Sequence, residues 1–241
     1  DEPRLRALFA GERPAVVFHA AAYKHVPLME EYPEEAVRVN VGGTRQVMQL
    51  AGEYGAERFV LVSSDKAVEP SSVMGATKRV CELLAASRRT SSRTLYTAVR
   101  FGNVLASRGS VVPTFARQID MGGPVTITDP DMSRYFMSIQ EAASLVVQAA
   151  SFTTGNDVFL LDMGEEINIA DLARRMIRLR GLRPDVDVPI VVTGPRPGEK
   201  LREVLHSADE HTQPTAHPQV MRVLGLRWPL SQAERRPRRR W

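Results

Sequence analysis

The chain has 241 residues, is 43% apolar and 25% charged, and carries a formal net charge of +4 with one cysteine, Cys81. That composition belongs to a globular chain large enough to bury a sizeable core; a lone cysteine excludes an internal disulfide, and no apolar run approaches the ~18 residues of a membrane span. Five arginines fall in the last seven residues, "RRPRRRW", leaving the other 234 near −1, so the positive charge marks a basic tail at 228–241, expected to be disordered, and not a nucleic-acid-binding body.

The N-terminus, "DEPRLRALFAGERP", is charged throughout, which excludes a secretory signal and makes the cytoplasm the expected location. It enters at once on a helical pattern. "AVVFHAAA" (15–22) reads as a buried strand ending in a loop of small residues, and 34–55 as a helix closed by Gly55. "RFVLVSS" (58–64) is a second strand, 73–89 a second helix, and "TLYTAVRFGNV" (94–104) a third strand running into a loop. Strands alternating with helices predict βαβ units and a parallel sheet. Further on, 109–123 reads as a short helix closed by glycines and 124–136 as a strand plus loop. Ser138 and Glu141 form a capping box for a helix over 139–152. A strand follows at 157–164, then a helix capped by Asn168 and stopped by Gly181. Residues 187–194 are extended, and "RPGEKLREVLH" (196–206) is expected to start a helix with Pro197 in its first turn.

No G-x-G-x-x-G occurs, although a doubly wound nucleotide-binding domain normally opens with that glycine turn and the helix receiving a pyrophosphate. The sheet is therefore expected to be incomplete. Of 32 basic residues only Lys24, Lys66, Lys78 and Lys200 are lysines. In a chain this rich in arginine, a lysine marks a position where a loseable proton matters. Lys66 and Lys78 crowd "SSDKAVEPSSVMGATK" (63–78), the junction between the second strand and its helix. The C-terminal edge of a parallel sheet is where such folds hold ligands. Zinc spacing, a G-x-S-x-G elbow and a Walker loop are all missing, so no metal is expected.

The words "VFHAAAYKHVPLME", "NVGGT", "FVLVSSDKAV", "MGATKR", "VRFGNVLASRGSVVPTF", "MSRYFM" and "RPGEKL" run in order from near residue 1 to about 224. Together they resemble the extended short-chain dehydrogenase/reductases, and within them the polysaccharide-biosynthesis branch of UDP-N-acetylglucosamine 4,6-dehydratases. The resemblance implies an α/β Rossmann-like fold, a doubly wound parallel sheet lacking about 60–70 N-terminal residues, roughly two βα units. It divides the chain into a nucleotide-binding part at 1–102, to which helix 138–152 returns, and a mainly UDP-sugar-binding part at 103–227. It implies bound NAD or NADP against Ala20, Ala21, Ala22, Ser63 and Lys78, a homo-oligomer pairing through helices 34–55 and 73–89, and a parent tethered to a membrane through an N-terminal region. It assigns Asp65 as general acid for the C6 hydroxyl and Lys66 as base at C5. Those roles require a protonated carboxyl and a neutral amine, whereas an ion pair between them would hold each in the opposite state. Ser64 is either a hydrogen-bond partner of the C4 oxygen or a strand-end cap. Met74 and Lys78 occupy the Y-x-x-x-K positions of the wider family, and Met74 cannot accept a proton, so Asp65, relayed through Ser64, is expected to take it. Lys24, Asn103, Arg134, Arg196 and Glu199 would hold the sugar, diphosphate and ribose of the UDP-sugar. Alternatives on the same scaffold are a nucleotide-sugar epimerase and a non-catalytic UDP-sugar-binding module. His19 and His25 read as packing residues, and Asn40 as a brace between helix and strand backbones.

Overall fold

The computed structural model describes residues 1–87, 93–105, 107 and 109–225; the basic tail at 228–241 and the last two residues of the helix expected at 73–89 lie outside them. Helix α1 (Glu2–Glu12) is capped by the Asp1 carboxylate and leads to strand β1 (Val16–His19). Short helices α2 (Val26–Glu31) and α3 (Pro33–Ala36) follow, then a π-turn over Val37–Gly42 and α4 (Gly43–Glu53). Strand β2 (Arg58–Val62), helix α5 (Val73–Ala86) and strand β3 (Leu95–Arg100) complete two crossovers. The helix read over 34–55 is therefore segmented. A π-turn widens the backbone ring, and it does so around Asn40, whose buried amide is drawn out to the loop after β1.

After β3 come β4 (Asn103–Val104), α6 (Val111–Asp120), β5 (Val125–Ile127), β6 (Ser133–Arg134) and β7 (Phe136–Met137). Helix α7 (Ile139–Phe152), capped by Ser138, leads into β8 (Asp157–Leu161). The chain ends its described part with β9 (Ile167–Asn168), α8 (Ile169–Leu179), β10 (Ile190–Val192), β11 (His211–Pro214) and β12 (Val220–Leu224). The main sheet runs β1-β2-β3-β8-β12-β11; β1, β2, β3 and β8 are mutually parallel, and β12 and β11 add antiparallel. Its central strands are covered on both faces, which is why they read as continuous apolar runs.

Helices α4 and α5 pack on one face through Met48, Leu50, Ala51, Cys81 and Ala85 against Phe59, Leu61 and Ala98. Helix α7 covers the other through Ala142, Leu145, Val146 and Ala149 against Val60, Val99 and Phe159. A second, smaller core joins α6, α8 and the parallel pair β5–β10 through Phe115, Ile119, Val125, Ile127, Ala173 and Ile177.

Of the part beginning at residue 103, strands β8, β12 and β11 belong to the main sheet. One expectation is corrected. Residues 196–206 form no helix. The carbonyls of Lys200 and Leu201, which a helix would use internally, accept instead from the Arg134 guanidinium, and Leu201 also from Ser133 N–H; Gly198 adopts a φ of +78°.

Candidate active site

Strands β1, β2 and β3 end side by side, and the segments leaving them, Ala20–Lys24, Ser63–Lys66 and Phe101–Asn103, line one cleft of about 440 Å³. Helix α5 contributes Met74 and Lys78, one turn apart on the same face. Arg134, Arg196, Glu199 and Glu203 line it as well.

The turn after β2 is built tightly. Ser64 caps the single 3-10 turn Asp65–Ala67, its Oγ accepting from Lys66 N–H at 3.3 Å and donating to Asp65 Oδ1 at 2.9 Å. Lys66 Nζ donates to Asp65 Oδ1 at 2.9 Å and to Asn103 Oδ1 at 3.1 Å, with Glu203 Oε1 at 3.7 Å. Asp65 is fully buried, does not itself line the cleft, and keeps Oδ2 without a hydrogen-bond partner. Asp65 is connected to the cleft through Ser64 Oγ and Lys66 Nζ, both of residues that line it. The Asp65–Lys66 pair is closed, and Ser64 acts as the cap.

Lys78 is buried, and its Nζ donates to the Val62 carbonyl at 2.9 Å. Burial lowers its ammonium below the usual lysine range, against the opposing charges of Cys81 and Glu82. Met74 packs with Val26, Met29 and Ala36 while bordering the cleft. Asn40 braces the loop after β1: its Oδ1 accepts from Tyr23 N–H at 2.7 Å, and its Nδ2 donates to Tyr23 O and to Thr77 Oγ1. His19 is buried against Thr44 Oγ1 at 3.0 Å; His25 lines the cleft.

Of the other expected residues, Ala20, Ala22, Ser63, Ser64, Lys24, Asn103, Arg134, Arg196 and Glu199 all border the cleft. Ala21 faces instead a separate apolar groove of about 760 Å³ between α1, β1 and α4, which holds none of the titratable cluster. Lys24 Nζ donates to Ser107 Oγ at 3.2 Å. Arg134 is corrected in part: its Nη atoms donate to the carbonyls of Ser133, Lys200 and Leu201. It fastens the 196–203 segment, while the exposed Arg196 carries the uncommitted guanidinium at the rim. Ser63 Oγ donates to buried Glu82 at 2.6 Å. Glu203 was not foreseen, because a helical reading of 196–206 gives no reason for its side chain to turn inward.

The chain matches the family described as polysaccharide biosynthesis protein over residues 1–224. It is 53% identical over 210 residues to the probable polysaccharide biosynthesis protein EpsC of Bacillus subtilis, covering 87% of this chain and 35% of that protein. It is 39% identical over 197 residues to a UDP-glucose 4-epimerase of Rickettsia canadensis, covering 80% of this chain and 56% of that enzyme. The crystal structure of Pen from Bacillus thuringiensis superposes with a TM-score of 0.82 at 34% identity, over 92% of this chain and 69% of that one. The chain thus spans about a third of EpsC and just over half of the epimerase. No helix among the described residues is long and apolar enough to cross a membrane. A parallel-dominated sheet with its polar cleft at the strand ends, matched across nearly its whole length, identifies the chain as a member of the polysaccharide biosynthesis protein family on the extended short-chain dehydrogenase/reductase fold.

Proposed function

We propose that the cleft dehydrates UDP-N-acetylglucosamine, or a related UDP-N-acetylhexosamine, to the 4-keto-6-deoxy sugar for bacterial surface-glycan synthesis. The observation that carries this reading is Lys66: an amine in the cleft wall held by two acceptors, Asp65 Oδ1 and Asn103 Oδ1, beside a second cleft lysine, Lys78. Those two bonds fix Nζ in the cleft wall, and because its contact with Asp65 is an ion pair, Lys66 acts as a base only after giving up its own proton.

The residues fit the nicotinamide end of NAD(P). Ala20 and Ala22 present nothing beyond Cβ to the cleft, and Lys78 keeps donors beyond the one given to Val62. Ala20, Ala22, Ser63 and Lys78 would hold the cofactor, which when bound supplies the reversible oxidation of the sugar. Ser64 Oγ, hydrogen-bonded to Asp65, provides a route for the C4 hydroxyl proton that Met74 cannot take. Once C4 is a ketone, the C5 hydrogen is acidic and Lys66 removes it. Asn103, Arg196 and Glu199, with Arg134 bracing their segment, would orient the UDP portion, and Lys24 the sugar.

Product mass tests the reading. Protein supplied with NAD(P)+ and UDP-N-acetylglucosamine is expected to release a product lighter by one water, and Lys66→Met to abolish it. An isomer of unchanged mass would instead support a 4-epimerase, the second reading favoured by the likeness to the Rickettsia enzyme.

A further inference from the structure

Two successive serines follow β2 on the cleft wall, and each gives its hydroxyl hydrogen to a carboxylate: Ser64 to Asp65 Oδ1, and Ser63 to Glu82 Oε1 at 2.6 Å. At Ser63 the direction of that bond is fixed. Glu82 of α5 is fully buried between two guanidiniums: Oε1 also accepts from Arg100 Nε and Oε2 from Arg100 Nη2, both at 2.7 Å, with Arg79 Nη1 3.4 Å from Oε2. Arg100 is held in turn by Glu210, so the carboxylate has no freedom to turn away. A carboxylate paired in this way only accepts, and a hydroxyl has one hydrogen to give. Ser63 Oγ therefore offers the cleft an acceptor and no donor. Lys78, one turn before Glu82 on the same helix, offers the reverse, since its Nζ keeps donors beyond the one given to Val62 O.

We infer that Glu82 is a positioning residue that holds Ser63 as a fixed hydrogen-bond acceptor, and that the ligand group Ser63 selects is the carboxamide N–H2 of NAD(P). The inference rests on the cofactor assignment made above. At the nicotinamide end, the ribose hydroxyls have lone pairs that match the donors of Lys78. The carboxamide nitrogen has two hydrogens and no lone pair to share, so it requires an acceptor. Among the side chains assigned to the cofactor, Ala20 and Ala22 carry no hydrogen-bonding group and Lys78 is a donor, which leaves Ser63. A serine with nothing behind it would rotate its hydroxyl to suit either partner and would discriminate little. Locked by Glu82, it is left unpaired by any ligand that lacks the donor, and a site built to bond a polar group rejects the analogue without it.

The test is a ratio of dissociation constants, measured by titration calorimetry, for NAD+ and for its 3-acetylpyridine analogue, in which a methyl group replaces the carboxamide N–H2. The parent is expected to bind NAD+ about 10-fold more tightly or better. Ser63→Ala should bring the ratio close to one by weakening NAD+ and not the analogue, and Ser63→Thr, which keeps the hydroxyl, should retain the preference. For Glu82, the pair Glu82→Met with Arg100→Met removes both charges together, a change that buried ion pairs often tolerate. It frees the Ser63 hydroxyl to turn, and the ratio should fall there too. A merely structural role would weaken both dinucleotides alike and leave the ratio unmoved. A parental ratio near one overturns the inference, as does a ratio in Ser63→Ala as large as the parent's, and a full ratio in the paired variant removes Glu82 as the residue that sets it. Should the unsubstituted protein bind neither dinucleotide, the cofactor assignment itself fails, and the inference with it; the parent alone decides that.

Discussion

His19 illustrates how one buried side chain sets a pH limit. Burial, with the Lys78 charge nearby, lowers its imidazole from 6.5 to about 4. As pH falls through 6.5 the unfolded chain takes up a proton that the folded chain refuses until about 4, so the unfolded state binds more protons in that window. Stability therefore falls on acidification, by up to about 3 kcal/mol at its lower end. Thermal melting followed from pH 7.5 to pH 4 should show this loss in the parent and a shallower one in His19→Gln; equal slopes would remove His19 as the source. At this scale the sequence was informative where a residue's chemistry was unusual for its surroundings. Rare lysines among arginines pointed to Lys66 and Lys78, and both line the cleft. It was silent on Glu203, since nothing in "KLREVL" distinguishes an inward acid from a solvated one.

Among the elements, the junction of β2 with α5 depends on Gly75. A Cβ there would sit 2.2 Å from the Lys66 carbonyl oxygen, a backbone atom unable to yield without moving the turn that carries Asp65 and Lys66. Helix propensity alone makes Gly→Ala in a helix favourable by about 1 kcal/mol. Here the clash outweighs it, and Gly75→Ala should destabilise by about 1–3 kcal/mol, with lower turnover because Lys66 shifts. A higher melting temperature with intact activity would contradict the close approach. Element type was legible wherever apolar periodicity and caps agreed, as at α7 with Ser138 and α8 with Asn168. It failed at 196–206, whose carbonyls are taken by Arg134 and Ser133, partners 60-odd residues away in sequence and invisible to local patterning.

Across the whole molecule, a buried charge network ties the far strands to the cleft. Arg100, fully buried at the end of β3, donates Nε and Nη2 to Glu82 of α5 and Nη1 and Nη2 to Glu210 ahead of β11. Arg79 joins both acids, and Glu82 accepts from Ser63 in the cleft. Burial acts to raise Glu210, but the bonds and charge of Arg100 outweigh it and hold the carboxyl at about 2. Arg100→Met removes the bidentate partner of two buried carboxylates, leaving them to Arg79 alone among the cations, and should cost about 3–5 kcal/mol in urea unfolding, whereas Arg183→Ala, which removes an exposed ion pair, should change the midpoint little. Near-equal midpoints would show that the network does not bind the β11–β12 hairpin to the core. By itself the sequence determined the alternation of strand and helix, the fold class and the residues at the strand ends, because backbone periodicity and junction chemistry are local properties. Only the tertiary structure decided that Asp65 lies behind the cleft, that Arg134 is spent on backbone, that Glu203 faces Lys66, and that β12 and β11 close the sheet antiparallel. Each of these is settled by which distant partner satisfies a buried polar group, and desolvation makes that choice only once the chain has folded.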